Sequence, residues 1–153
     1  MKKVFTNQEA LASRGPCVST EIAYEITGGN SITIDQVLAT NHLDIVQKGW
    51  FIANACELSN IELIDFAFGC SDVAVTIMED DYDVLSSVRY AMIEDEWIEK
   101  AMINASIMKR PYAYAIYSAT TRNPYDRIYS ATAACKLLTQ EDKMLNFFKE
   151  FVK

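Results

Sequence analysis

Residues 59–79, SNIELIDFAFGCSDVAVTIME, carry the strongest helical signal in this chain. Their polar members recur at intervals of three and four residues, which places them on one stripe of an α-helix. The stripe consists of Glu62, Asp65, Gly69, Asp72, Thr76 and Glu79. Nearly all other positions are apolar, so we expect a central helix that is buried on three sides and turns an acidic seam to solvent. A strand over residues 73–77 is the alternative, but the stripe continues through it without a break.

Short capping signals on either side of this segment predict further helices. Four Ser/Thr-x-x-Glu/Gln/Asp signatures can satisfy unpaired helix N-terminal amides, and they begin at Thr6, Thr33, Ser59 and Thr139. Asn123 is expected to cap a helix that starts at Pro124. Additional helices are predicted near 18–27, 43–56, 82–93 and 95–109, with one more around each Ile-Tyr-Ser-Ala-Thr repeat and one at the C-terminus. The sequence therefore predicts an all-α fold, either a single compact bundle or a short irregular α-solenoid of nine to ten helices.

Length and composition indicate an ordinary globular protein. The chain has 153 residues, of which 50% are hydrophobic and 23% are charged, as expected for one domain over residues 1–153. There is no apolar run long enough to span a bilayer and no signal-peptide core. Four widely separated cysteines without a Cys-x-x-Cys pair are typical of reduced thiols. We expect a soluble protein of a bacterial cytoplasm.

Charge is distributed unevenly along the chain. Residues 57–99 carry twelve carboxylates and one base, a local charge of −11, whereas residues 100–153 carry nine Lys or Arg and four acids. Such a field favours a cationic partner and speeds the encounter with it. Eleven carboxylates form the predicted partner-binding surface: Glu62, Asp65, Asp72, Glu79, Asp80, Asp81, Asp83, Glu94, Asp95, Glu96 and Glu99.

Sequence motifs for catalysis or metal binding are missing. His42 is the only histidine and has no second ligand at zinc-site spacing. The acidic run over residues 79–83 lacks the glycine and the terminal Glu of a calcium loop. Nucleophile elbows and phosphate-binding glycine loops do not occur either. We therefore predict a non-enzymatic protein with no catalytic residue, cofactor or metal.

A tyrosine-rich segment near the C-terminus suggests a second interface. Five tyrosines lie between residues 112 and 129, with basic residues among them, which is a composition found in nucleic-acid stacking surfaces. Their helical spacing instead favours packing at the edge of a core or a protein interface, so direct nucleic-acid binding is not expected. The predicted secondary interface comprises Tyr112, Tyr114, Tyr125, Arg122 and Arg127.

Several sequence pieces are similar to one known family. They are LASRGPC at residues 11–17, Gly49-Trp50-Phe51, ELIDFAFGC at residues 62–70 and an alanine-spaced stretch over residues 101–134. Together they resemble small alanine-rich helical proteins of bacteria and phages that are labelled immunity proteins. The resemblance implies a non-enzymatic protein that binds and blocks a toxin or another effector.

Charge and resemblance together predict an inhibitor. We expect an immunity-like or phage counter-defence protein whose acidic surface engages a basic effector, such as a nuclease or a nucleic-acid-acting complex. One alternative is a self-assembling scaffold in which the acidic middle of one copy contacts the basic residues 100–153 of the next. The other alternative is an enzyme that uses carboxylates with shifted pKa values.

Overall fold

The computed structural model describes residues 1, 3–5, 31–77 and 110–153, and this part of the chain is mostly helical. Its elements are β1 (Val4–Phe5), β2 (Ile32–Thr33), α1 (Ile34–Ala39), α2 (Ile45–Ala55), α3 (Asn60–Thr76), α4 (Arg110–Thr120), α5 (Pro124–Leu137) and α6 (Glu141–Phe151). The two strands pair antiparallel, with Val4 opposite Thr33 and Phe5 opposite Ile32. The predicted helical class is confirmed. The count of nine to ten helices is not supported: the described residues contain six, and the predictions near 18–27, 82–93 and 95–109 lie outside them.

Local hydrogen bonds explain where most of these helices begin. Thr33 accepts a hydrogen bond from the Gln36 N–H, Ser59 accepts one from the Glu62 N–H, and in each pair the second side chain accepts in return from the cap backbone. Both predicted capping boxes are therefore confirmed, whereas Thr6 lies outside the described residues. Asn123 caps α5 as predicted, with its Oδ1 accepting from two backbone N–H groups. A further box, not predicted, joins Asp44 to Gln47 at the start of α2.

The predicted cap at Thr139 is wrong. Helix α6 begins at Glu141 with Gln140 as its N-cap and without a side-chain cap bond. Thr139 instead ends α5: its N–H donates to the Lys136 carbonyl at 3.2 Å, and the Gln140 N–H donates to the Cys135 carbonyl at 2.9 Å. These two bonds form a Schellman motif, which holds the residue after the C-cap in the left-handed region. Thr139 has a φ of 55°, an unfavourable value for a β-branched residue.

Replacing Thr139 with glycine is expected to stabilise the protein. Glycine adopts a positive φ without the steric cost that a β-branched side chain carries, so the free energy of unfolding should rise by about 1 kcal/mol. Chemical denaturation of the wild type and Thr139→Gly measures the difference. Thr121→Gly, at a position without positive φ, is the matched control and should be destabilising. A loss of stability in Thr139→Gly would contradict the left-handed cap.

Helix α5 occupies the centre of the described part. It packs against α2, α3, α4 and α6. Six consecutive residues are buried, so this part of α5 is enclosed on all sides, and their small side chains permit close approach: Ser130, Ala131, Thr132, Ala133, Ala134 and Cys135. Helix α3 was expected to be the central helix, buried on three sides. It is fully buried along one face only, through Leu63, Phe66, Ala67, Cys70, Ser71 and Ala74. Val73 and Val75 are partly buried against the core, whereas Ile61, Ile64 and Phe68 are exposed.

A cluster of phenylalanines joins α3 to α6. The fully buried ring of Phe66 has centroid distances of 5.8, 5.3 and 4.8 Å to Phe147, Phe148 and Phe151. The ring of Phe147 also covers Gly69, where an added Cβ would overlap it. Phe147 of α6 therefore interrupts the predicted acidic seam at Gly69. The carboxylates of the seam lie before and after this position, at Asp65 and Asp72.

One lysine is buried in the core. Lys48 on α2 is only 6% exposed, and its Nζ donates a hydrogen bond to the Leu38 carbonyl at 3.0 Å. Burial lowers the pKa of Lys48, and the nearby charge of Lys149 lowers it further, although Glu141 and Asp44 act in the opposite direction. The folded protein therefore binds this proton less tightly than the unfolded chain does.

This burial makes stability depend on pH in the alkaline range. Between the lowered folded pKa of Lys48 and its ordinary value of 10.5, the unfolded chain binds more protons than the folded protein, so stability rises with pH. We expect the wild type to gain stability relative to Lys48→Met when urea unfolding is moved from neutral pH toward that upper value. A difference between the two proteins that stays constant with pH would contradict a desolvated Lys48.

Candidate partner-binding surfaces

The described residues include three members of the predicted acidic surface. Glu62, Asp65 and Asp72 lie on α3, with Asp65 and Asp72 exposed. The other eight lie outside the described residues: Glu79, Asp80, Asp81, Asp83, Glu94, Asp95, Glu96 and Glu99. Glu62 already has local partners, because its carboxylate accepts the Ser59 N–H at 2.8 Å and lies 3.8 Å from the N-terminal ammonium of Met1. The hydrogen bond from the Ser59 backbone is the main reason that the pKa of Glu62 is lowered.

Exposed apolar side chains accompany the carboxylates on α3. Ile61 is 73% exposed, Ile64 46% and Phe68 50%, and their spacing of three and four residues puts them on one helical stripe. Asp65 lies four residues after Ile61 and three before Phe68, and Asp72 lies four after Phe68, so these carboxylates border the apolar stripe. We call these five residues the apolar–acidic face. Sequence analysis placed the two carboxylates of this face on the partner-binding surface, but it assigned Ile61, Ile64 and Phe68 to the buried core.

Arg127 lies behind this face, although the sequence assigned it to the secondary interface. Its side chain is buried, with 7% of the residue exposed, and its guanidinium carbon lies 4.3 Å from the centroid of the Phe68 ring. Nη2 donates to the Thr121 carbonyl at 2.7 Å, and Nη1 lies 3.4 Å from Ser71 Oγ, which in turn donates to the Ser118 carbonyl at 2.8 Å. Arg127 therefore ties α3, α4 and α5 together and supports one side of the Phe68 ring.

A groove lined by aromatic rings lies on a different side, between α2 and α5. We call it the aromatic groove. Its lining comprises Asp44, Val46, Gln47, Trp50, Ala53 and Asn54 from α2 and its cap, Tyr114 from α4, and Tyr125, Ile128, Tyr129, Ala133, Lys136 and Leu137 from α5. The start of α2 faces the end of α5, so the two helices run antiparallel. The wider half has a volume of about 360 Å³, within the range of small-ligand sites.

Members of the predicted secondary interface are found in different places. Tyr114 and Tyr125 line the aromatic groove, and the Tyr114 and Tyr129 rings meet edge to face at 6.4 Å. Arg122 is exposed between α4 and α5, and the side chain of Tyr112 lies outside the described part. Sequence reasoning missed Trp50 and Tyr129 as groove residues. Tyr129 could be linked to Tyr125 through their spacing of four residues. Trp50 could not be linked to either tyrosine, because α2 and α5 are far apart in the chain.

An ion pair closes the wider end of the aromatic groove. Lys136 Nζ lies 2.7 Å from Asp44 Oδ2. Partial burial raises the pKa of Asp44, but the hydrogen bond from Lys136 and those from the Gln47 and Val46 amides outweigh it and leave the pKa lowered. The same hydrogen bond raises the pKa of Lys136. Both groups are therefore charged at neutral pH, and they neutralise one another.

The described cysteines lack the environment of a nucleophile. Cys56, Cys70 and Cys135 are buried, and burial raises the pKa of the Cys56 and Cys135 thiols to about 12. Reactive cysteines require a lowered pKa and access to solvent. His42 is exposed. Within residues 31–77 and 110–153, no three His, Cys, Asp or Glu side chains are grouped so that they could hold a metal ion.

None of the described helices combines the length and apolar character that crossing a bilayer requires.

Comparison with family models, curated proteins and solved structures found no match for this chain. The similarity to immunity proteins that the sequence pieces suggested therefore stays a prediction.

Proposed function

We propose that this protein works by binding another protein, as a non-enzymatic inhibitor of a basic effector such as a nuclease or a nucleic-acid-acting complex. The observation that supports the proposal is the apolar–acidic face of α3. Three large apolar side chains are exposed there in one stripe, bordered by the Asp65 and Asp72 carboxylates. An apolar centre with a charged rim is the usual composition of a protein interface.

Each part of this face has a physical role in the proposal. The carboxylates attract a cationic partner and orient it before contact, which raises the association rate at low salt. The exposed apolar surface of Ile61, Ile64 and Phe68 is then buried against the partner, and this burial slows dissociation. Phe68 is supported from behind by Arg127 at 4.3 Å, so its ring is partly ordered before binding and loses less entropy.

Inhibition follows from the chemistry of the partner. Effectors that act on nucleic acids hold phosphates with Lys and Arg side chains. Carboxylates presented against those side chains would compete with phosphate for the same hydrogen bonds. The eight carboxylates between residues 79 and 99, which the sequence assigns to the same partner-binding surface, add to the negative charge of the chain. A cytoplasmic location in a bacterial cell and an immunity-like role belong to this proposal.

The self-assembling alternative has less support. It requires a basic surface within residues 100–153, but Arg127 is buried, Lys136 pairs with Asp44, and Lys153 pairs with Glu150. The remaining described bases on α6, Lys143 and Lys149, each have an acid as chain neighbour, Asp142 and Glu150. A mixed surface of this kind gives little attraction for a second copy.

Charge reversal on α3 tests the proposed function. The partner is first captured from the source cell with the full chain and identified by mass spectrometry, and its association rate is then measured as a function of salt. Reversing Asp65 and Asp72 together to Lys is expected to lower the low-salt association rate at least about tenfold, because electrostatic steering is lost.

A second double variant separates position from net charge. Reversing Asp35 and Asp142, which are exposed on α1 and α6, changes the net charge by the same amount and should lower the rate much less. Equal effects of the two double variants would reject the α3 face as the contact surface. Phe68→Ala is expected to speed dissociation with little change in the association rate.

A further inference from the structure

The apolar–acidic face has the arrangement that one helix offers to another. Its exposed side chains form two rows at intervals of four residues: Ile61 with Asp65, and Ile64 with Phe68 and Asp72. Such rows are the ridges with which packed helices interlock, because the groove between two ridges accepts a ridge of the neighbouring helix. From Ile61 to Asp72 the face follows α3 for eleven residues, about 16 Å at the helical rise. It therefore offers about three turns of contact to a second helix.

Backbone hydrogen bonding favours a helical partner over an extended one. A helix satisfies its own N–H and C=O groups, so it can cover an apolar stripe without leaving backbone groups unpaired. An extended segment would place its backbone polar groups against Ile61, Ile64 and Phe68. The backbone of α3 beneath these side chains is already hydrogen-bonded within the helix and gives such a segment no partners. Apolar side chains at helical spacing on the partner would therefore make the contact.

The two carboxylates define the charge of that partner helix. Asp65 and Asp72 are exposed and seven residues apart, about 10 Å along α3. Among the described residues, neither carboxylate is joined to a lysine or an arginine in an ion pair. Lys or Arg side chains two turns apart on the partner helix match this separation. A second copy of the face would instead bring the same two carboxylates against these, and like charges repel.

We propose that the apolar–acidic face binds a basic, amphipathic α-helix of the partner protein, packed along α3. The apolar stripe of that helix covers Ile61, Ile64 and Phe68, and two of its cations pair with Asp65 and Asp72. This inference rests on the proposed function and adds to it the element of the partner that makes the contact. Cations held in this way are no longer available to the phosphates of a nucleic acid.

Titration of the full-length protein with synthetic peptides tests this inference. The probe is a blocked peptide of three Ile-Ala-Ala-Leu-Lys-Gln-Lys heptads, whose flanking lysines repel one another and keep it from pairing with itself. One control has the same composition in an order that spreads the apolar residues around the helix. The other has a proline in place of a central alanine, which breaks the helix.

Affinity and peptide conformation are both measured. Isothermal titration calorimetry gives the Kd, and a rise in helical circular dichroism on mixing shows that the peptide folds on the protein. We expect a Kd below about 100 μM for the lysine probe and at least about tenfold weaker binding of each control.

A charge swap places the peptide on α3. Reversing Asp65 and Asp72 together to Lys should weaken the lysine probe at least about tenfold, and should strengthen binding of the matched peptide in which Glu replaces every Lys. Phe68→Ala should also weaken the lysine probe, because it removes apolar contact area. Reversing Asp35 and Asp142, which are exposed on other helices, should have much less effect.

Failure of this inference can be told apart from failure of the proposed function. The inference is overturned if the lysine probe does not bind, if either control peptide binds as tightly, if the bound peptide gains no helicity, or if the charge swap has no effect. Each of these results leaves the proposed function intact. A natural partner whose association ignores the reversal of Asp65 and Asp72 rejects the proposed function, and the inference with it.

Discussion

Phe66→Ala is expected to lower the free energy of unfolding by about 4 kcal/mol. The Phe66 ring has no exposed surface and contacts three phenylalanines of α6, at centroid distances of 4.8 to 5.8 Å. Truncation removes this buried area and leaves a cavity that the neighbouring rings of α6 cannot fill completely. Urea denaturation followed by circular dichroism measures the loss.

Phe68 is a matched control for this experiment because it lies on the same helix. It is half exposed and contacts the Arg127 guanidinium, so Phe68→Ala should cost less than about 1 kcal/mol. Similar losses from the two variants would mean that α3 does not bury the face described here. This would also remove the basis for treating Phe68 as a surface residue available to a partner.

Gly49→Leu is expected to lower the free energy of unfolding by about 3 kcal/mol. A Cβ at Gly49 would lie 3.2 Å from Thr132 Cγ2, 3.3 Å from Phe148 Cζ and 3.4 Å from Ile128 Cγ2. One methyl group fits with small adjustments, but the three further carbons of leucine have no space between α2 and α5. Separating these helices would also alter the walls of the aromatic groove.

Gly49→Ala provides the comparison at the same position. Alanine gains about 1 kcal/mol of helix propensity over glycine, which offsets its tight contacts, so we expect stability within about 1 kcal/mol of the wild type. Differential scanning calorimetry of the three proteins measures both effects. Equal stability of the alanine and leucine variants would contradict the close approach of α2 and α5.

Helix starts could be predicted because they depend on residues a few positions apart. Thr33 and Ser59 each find their capping partner three residues later, and that spacing is visible in the sequence. Thr139 has the same spacing to Asp142, but a different motif prevailed there. The Schellman bonds to Cys135 and Lys136 placed Thr139 at the end of α5, and one residue cannot have both conformations.

The two candidate surfaces could be predicted only in part. The carboxylates of α3 were recognised from charge, but Ile61, Ile64 and Phe68 were assigned to the core because apolar residues surround most of that helix. The aromatic groove combines Trp50 with Tyr125 and Tyr129, which are more than seventy residues away. No local pattern connects such distant positions.

Local chemistry in the chain was sufficient to establish the helical class, the capped starts of α1, α3 and α5, and the acidic character of α3. Packing between distant segments decided which face of α3 is buried, made α5 the central helix, covered Gly69 with Phe147, and buried Lys48 and Arg127. The physical reason is that caps and helical periodicity arise from neighbours within one or two turns. Burial, by contrast, depends on which other helix occupies the adjacent space.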